Sequence, residues 1–266
     1  MKHVSEDLWL VGMRILLDLL GAPSGDAGES AVASVAVTPV TGPTSAAAQP
    51  EAQPDPRIAA VLPGMKTSDI EAHNLPPIPL PECHARLASA GVTYKDSAIR
   101  LHRNRSGEFI CGAKQVVRYK KGPGTIRYNS SPKLTCKMAV AMAGFEKIVQ
   151  DEAVRIFGRR VVKIQHIGTY NCRGIAAYEG WVSQHSFGNA IDIKTFTLKG
   201  GREISVKKHY GRGPEAPKHD EGKFLRAVVR RFVDEKVFSV VVTPNFDRAH
   251  HNHFHLDLAP YSVDGT

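Results

Sequence analysis

The chain has 266 residues, 42% of them hydrophobic, and a formal net charge of +9. That is enough for one folded domain with tails and excludes a chain too polar to build a core. The basic balance suits acidic partners or plain solubility. Lys and Arg are dispersed, without the run that marks a nucleic-acid-binding arm.

At the N-terminus, residues 8–13 and 15–17 are apolar, but Glu6, Asp7, Arg14 and Asp18 border and break them. The stretch falls short of the about 20 apolar residues of a membrane span. It also lacks the uninterrupted core of about 7–15 residues of a secretory signal. Residues 1–20 are read as an apolar helix, an imperfect signal or membrane anchor. Cleavage after Leu20-Gly21-Ala22, an amphipathic helix and a mis-assigned start remain alternatives. Residues 21–76 are read as an Ala/Pro-rich disordered tether, since 21–56 contain no aromatic residue and bury too little apolar area to offset ordering entropy. The folded domain is expected over residues 77–260.

Within it, residues 81–90 read as a short helix stopped by Gly91. Residues 92–101 and 108–111 read as short strands, and 116–120 with 125–128 as a β-pair around the Gly-Pro-Gly turn at 122–124. From 134 to 157 the apolar residues Met138, Met142, Phe145, Ile148 and Val149 recur at helical spacing. Residues 161–172 and 190–198 read as strands, with 203–206 as the hairpin partner of the latter. Residues 221–236 form a second amphipathic helix carrying Phe224, Leu225, Val228, Val229 and Phe232. Residues 238–243 are a buried strand and 253–258 the last one. The class is α+β: a small antiparallel sheet with two main helices.

The cysteines Cys83, Cys111, Cys136 and Cys172 form no CxxC pair, which speaks against a zinc knuckle or a thioredoxin-type motif. Two disulfides in an oxidising compartment suit their even count and wide spacing; four buried thiols are the alternative. Sequence permits three pairings.

Two segments carry chemistry. In His250-His-Asn-His-Phe-His-Leu-Asp257, strand alternation puts His253, His255 and Asp257 on one face and Phe254, Leu256 and Leu258 on the other. Two imidazoles and a carboxylate on one face are zinc-ligand chemistry. A solvated His-rich loop is the alternative, opposed by the alternating apolar residues. In Ser183-Gln-His-Ser-Phe-Gly-Asn-Ala-Ile-Asp192, Gly188 permits a tight turn that returns His185 over Asp192. Ala190, Ile191 and Ile193 make Asp192 look partly buried, and a buried charge needs a partner.

His185, Asp192 and the downstream His-x-His resemble the metal signature of M15-type peptidases, which include D-Ala-D-Ala carboxypeptidases and penicillin-insensitive murein endopeptidases. More closely, PECHARLASAGVTY, CGAKQVVR, LTCKMAVAMAGF, IGTYNCR, SQHSFGNAIDIKTFTLKGGREISV and HHNHFHLD resemble the bacterial extensin-like C-terminal domain family, over about residues 81–258. The resemblance implies an M15-like zinc peptidase core in which His185, Asp192 and His255 hold the metal. It places His253 and His250 on the water side and Arg173 near the substrate; a neutral imidazole suits His253 as base near pH 7, and Arg173 or His250 is expected to steady the oxyanion. An ordinary surface ion pair is the other reading of Arg173. Ser183 and Gln184 are candidates to hydrogen-bond a peptide, though Ser183 also suits a turn cap. Asp257 either orients a histidine behind the metal or ends the strand. Asn252 stands where many relatives carry an acid, which casts doubt on catalysis more than on zinc binding. A cysteine that many relatives have before Val240 is missing, so one disulfide is expected to be rearranged or absent.

The implied activity is zinc-dependent cleavage of peptidoglycan peptide bonds in the periplasm or cell envelope. A non-catalytic, zinc-containing wall-binding module is the alternative. The His-Asn-His letters also occur in metal nucleases, but those need a ββα arrangement, and the segment after Asn252 alternates as a strand. No nucleic-acid partner is expected, and the oligomeric state is left open.

Overall fold

A computed structural model describes residues 67–176 and 178–266. The expected N-terminal helix or anchor, and the tether as far as residue 66, lie outside the described residues. No helix among the described residues is long and apolar enough to cross a membrane.

The order is α1 (Thr67–His73), α2 (Cys83–Ser89), β1 (Thr93–Arg103), β2 (Ile110–Lys121), β3 (Arg127–Tyr128), β4 (Lys133–Thr135) and α3 (Cys136–Phe157). Then come β5 (Val161–Gly168), β6 (Gly174–Ile175), β7 (Tyr178–Val182), a 3-10 turn (Gln184–Phe187), β8 (Ala190–Leu198) and β9 (Glu203–Ser205). The chain continues through α4 (Val206–His209), α5 (Asp220–Asp234), β10 (Val240–Val242), β11 (Phe254–Asp257) and β12 (Val263–Gly265). The fold is α+β. The main sheet runs β12-β10-β11-β8-β5-β3, with β9 also on β8; a second sheet runs β1-β2-β4, and β6 pairs with β7.

Helix α3 forms where the periodicity predicts it. The Thr135 hydroxyl caps it by accepting from the Met138 amide at 3.2 Å, and Gly158 ends it at φ 61°. Its predicted apolar positions are all buried, as are those of α5. Phe145 joins the two helices to the sheet: its ring centroid lies 5.2 Å from Phe232 and 6.4 Å from Phe196. Full burial of such a side chain is worth about 1.5–3 kcal/mol. This core fixes the sheet whose far end carries the site.

The structure differs from the sequence expectation in four main places, besides a strand at Val161–Gly168 that stops short of the expected residue 172. Residues 92–101 and 108–111 belong to one long hairpin, β1 antiparallel to β2 from Thr93↔Lys121 to Arg103↔Ile110. Residues 116–120 are the second half of β2, paired with β1 and β4, and not with 125–128. The 125–128 segment instead gives β3, parallel to β5 in the other sheet. The reason lies in the Gly-Pro-Gly segment: a Cβ on Gly122 or Gly124 would lie within 3 Å of the Glu146 carboxyl. That close approach to α3 turns the chain away from β2. Third, the described fold starts before residue 77, since His73 of α1 is 1% exposed and packs between Trp181 and Tyr261. Fourth, β11 is not the last strand; β12 follows, parallel to β10.

The cysteines pair as Cys83–Cys136 and Cys111–Cys172, with Cα separations of 5.9 and 5.7 Å. None is free, so the expected loss or rearrangement leaves no unpaired thiol. The first bond ties α2 to the start of α3. The second ties β2 to the loop ahead of β6. Two disulfides fit an oxidising, exported location.

Candidate metal centre

The site is assembled by strand register. Antiparallel pairing of β11 with β8 sets His255 opposite Asp192, and pairing of β5 with β8 sets Gly168 on the other flank of Asp192. Ile191 and Ile193 face the core, so Asp192 points the other way. His185 is supplied by the 3-10 turn just before β8. Ser183 caps that turn, its hydroxyl accepting from the His185 amide at 3.4 Å. Gly188, at φ 68°, ends it, in a left-handed conformation that few other residues adopt cheaply.

Two further contacts hold the turn. Asn189 donates to Gln184 Oε1 at 2.8 Å and to the Leu258 carbonyl at 3.1 Å, and accepts from the Thr135 hydroxyl at 2.9 Å. It thereby joins the His185 turn, the end of β11 and the cap of α3. Ser186 Oγ lies 3.1 and 2.9 Å from the Asn171 and Arg173 carbonyls and accepts from the Arg173 amide at 3.0 Å.

Three ligand atoms converge. His185 Nε2 lies 3.2 Å from Asp192 Oδ1 and 3.2 Å from His255 Nδ1, and His255 Nδ1 lies 3.0 Å from Asp192 Oδ1. All three side chains are mostly buried, at 2%, 14% and 14% exposure for His185, Asp192 and His255. Asp257 Oδ2 sits 2.9 Å from His255 Nε2, and its other oxygen accepts from the Ala259 amide at 2.9 Å. Asp257 is thus in contact both with the His255 ring and with the backbone just past the end of β11. If it takes the Nε2 proton, the Nδ1 lone pair faces the cluster, the arrangement a metal-ligating histidine needs.

The electrostatics follow from the neighbours. Burial opposes charge on Asp192, but hydrogen bonds from His185 and His255 hold its carboxyl well below the usual range. Burial likewise opposes a charged His255, yet the carboxylates of Asp192 and Asp257 push its pKa up to about 10. A divalent cation competes for the same lone pair as that proton. Three acceptor atoms this close must share protons or a cation, and two imidazoles plus a carboxylate form a set that could hold a metal ion with a position left open.

His253 and His250 stand beside this set. His253 Nε2 is 3.7 Å from Asp192 Oδ1, and its Nδ1 is 2.7 Å from Asn252 Oδ1. With the Asn252 amide in this orientation its oxygen suits the tautomer that carries the proton on Nδ1 and the lone pair on Nε2. Burial lowers the His253 pKa to about 4, more than the nearby Asp192 raises it. The His250 ring lies 5.1 Å from that of His253 and 5.7 Å from that of His255. Asp247 Oδ1 accepts from the His250 amide at 2.9 Å and faces its Nδ1 at 2.7 Å. Burial lowers the His250 pKa against the pull of Asp247.

The remaining expected residues sit further out. Gln184 is 3% exposed, with its amide nitrogen 3.2 Å from both His73 Nδ1 and the His73 carbonyl. Ser183 is also buried. Both side chains face inward, onto internal partners. Arg173 is exposed, donates to the Gly174 carbonyl at 3.4 Å, and lines a neighbouring cleft.

Sequence reasoning missed three contributors. Asp247 is one, although the Asp-x-x-His spacing to His250 was readable. Asn189 is another, signalled only by its place after Gly188. Gly168 is the third: a Cβ there would lie 3.1 Å from Asp192 Oδ2 and 3.7 Å from His185 Cε1, so its lack of a side chain keeps that flank clear. A second group, His102 with Cys111 and Cys172, has its two sulfurs joined in a disulfide and so offers no thiolate. The segment after Asn252 is strand β11, as the alternation requires, and not the helix of a ββα nuclease.

No curated protein and no solved structure matches the chain. A family model described as the extensin-like protein C-terminus matches residues 81–264, and the chain belongs to that family.

Proposed function

We propose that this extensin-like domain is a zinc-dependent hydrolase cutting peptide bonds of peptidoglycan, in stem peptides or cross-links, in the periplasm or cell envelope. The observation that carries the reading is the convergence of His185, Asp192 and His255, whose ligand atoms all lie within 4.8 Å of one another. The likeness of His185, Asp192 and His253-x-His255 to the M15 metal signature extends it to an M15-like core. Zinc bound there would lower the pKa of a water toward about 7 and polarise the scissile carbonyl.

The chain's own residues do the rest. Asp257 holds the His255 ring in register. Asn252, with its oxygen on His253 Nδ1, leaves Nε2 to take the proton of the attacking water, and the low pKa of His253 keeps the ring neutral near pH 7. In this reading Asn252 positions a base without being one. Neutral His250, with Nδ1–H committed to Asp247, presents an accepting Nε2. It suits proton relay better than oxyanion binding.

The non-catalytic wall-binding reading has one observation in its favour, the amide of Asn252 where related carboxypeptidases place an acid. Mass spectrometry of muropeptides, after purified sacculi are incubated with the protein and zinc, separates the two. New cleaved species that vanish with a chelator are expected. An unchanged muropeptide profile with zinc-loaded protein would remove the hydrolase reading.

A further inference from the structure

A cleft of about 1180 Å³, lined by none of the cluster side chains, opens over the segment 171–174 that backs the His185 turn, above the about 300–1,000 Å³ of a small-molecule site. One wall is the tip of the β1–β2 hairpin, the floor is the segment 171–174, and the other wall is the β6–β7 pair. Resting on the peptidoglycan reading above, we infer that this cleft binds an extended, carboxylate-bearing peptide chain and leads it to the metal cluster.

Charge is the first argument. Arg103, Arg105 and Arg173 line the cleft and enter none of the ion pairs among the described residues. Among the described residues only Arg155, Arg202, Arg230 and Arg231 pair with carboxylates; what sets Arg103, Arg105 and Arg173 apart is that three guanidinium groups without a carboxylate partner line one cleft. The planar guanidinium fork matches a carboxylate in two parallel hydrogen bonds, so three of them in one concave lining suit a carboxylate-bearing ligand. Of the two acids in the lining, Glu108 is bound by Ser106 at 2.5 Å and Asn104 at 3.3 Å within the hairpin tip, while Glu179 is exposed.

These acids weigh against a polyphosphate chain, which would meet repulsion at each step. Trp181 lines the cleft but is 4% exposed, so its face is not available for bases to stack on. A peptide with spaced carboxylates fits the mixed lining.

Connectivity is the second argument. The Cys111–Cys172 disulfide joins the hairpin arm to the cleft floor. The same floor backs the His185 turn, with Asn171 N donating to the His185 carbonyl at 3.2 Å and Arg173 N to Ser186 Oγ at 3.0 Å. A chain held by the tip arginines is thereby kept in register with the metal ligands.

The test uses the full zinc-loaded chain and two soluble probes: a muropeptide with free stem carboxylates and its fully amidated counterpart. Calorimetry should show at least tenfold tighter binding of the carboxylate form. Arg105→Glu should lose at least tenfold for that form alone, with zinc content and thermal midpoint unchanged. An Arg103→Ala/Arg105→Ala double variant should show the same selective loss. Equal binding of the two probes, no binding of either, wild-type affinity in Arg105→Glu, or tighter binding of a single-stranded oligonucleotide would overturn the proposal. Carboxylate-dependent binding without hydrolysis would support the cleft and remove the hydrolase. Hydrolysis with an unchanged KM in Arg105→Glu would do the reverse.

Discussion

On one face of β8, Ile191 and Ile193 are fully buried in the core with Phe145, Phe232 and Leu256. On the other face, Asp192 meets two imidazoles at 3.0 and 3.2 Å. The contacts of the first face support one another, and any well-packed apolar set of similar volume would serve. Those of the second crowd polar atoms whose burial is costly unless each is partnered. The core face is satisfied by apolar packing alone, whereas each group on the polar face needs a partner.

Three substitutions probe this contrast. His253→Ala should leave zinc content and melting unchanged while turnover falls by about 10²–10⁴-fold, the usual weight of a general base. Unchanged turnover in steady-state assays would remove His253 as base. Phe145→Ala should cost about 3–5 kcal/mol of stability while folded molecules keep their zinc. If denaturation shows a small cost or zinc is lost from folded protein, the two faces are not separable. Asp257→Asn should weaken zinc affinity by about 10–100-fold. No change in a competition titration would reduce Asp257 to a strand terminator.

The same contrast explains what could be read in advance. Helix α3, helix α5 and strand β8 were legible because period 3.6 or period 2 repeats over many residues. β8 matches its expected bounds, Ala190–Leu198. The β1–β2 hairpin was harder. β1 is mostly exposed along its length, so it carries little alternation to mark where it ends. β3 is two residues long, and its partner is set by the approach of Gly122 and Gly124 to Glu146, which no local pattern encodes.

At the site, the expected ligand trio is brought together, because the His-x-His alternation and the Gly188 turn are local features. The supports were not read, because they act across the fold. Asn189 reaches Thr135 and Leu258. Gly168 matters only through its register with Asp192. His73 acts on the Gln184 side chain 111 positions away in sequence.

The central claim is that His185, Asp192 and His255 close around one metal ion. Zinc content measured on the purified, folded protein tests it most directly. The account predicts one zinc per wild-type chain and none in His185→Ala or His255→Ala. Stoichiometric zinc in both folded variants, or none in the wild type after incubation with zinc, would contradict it.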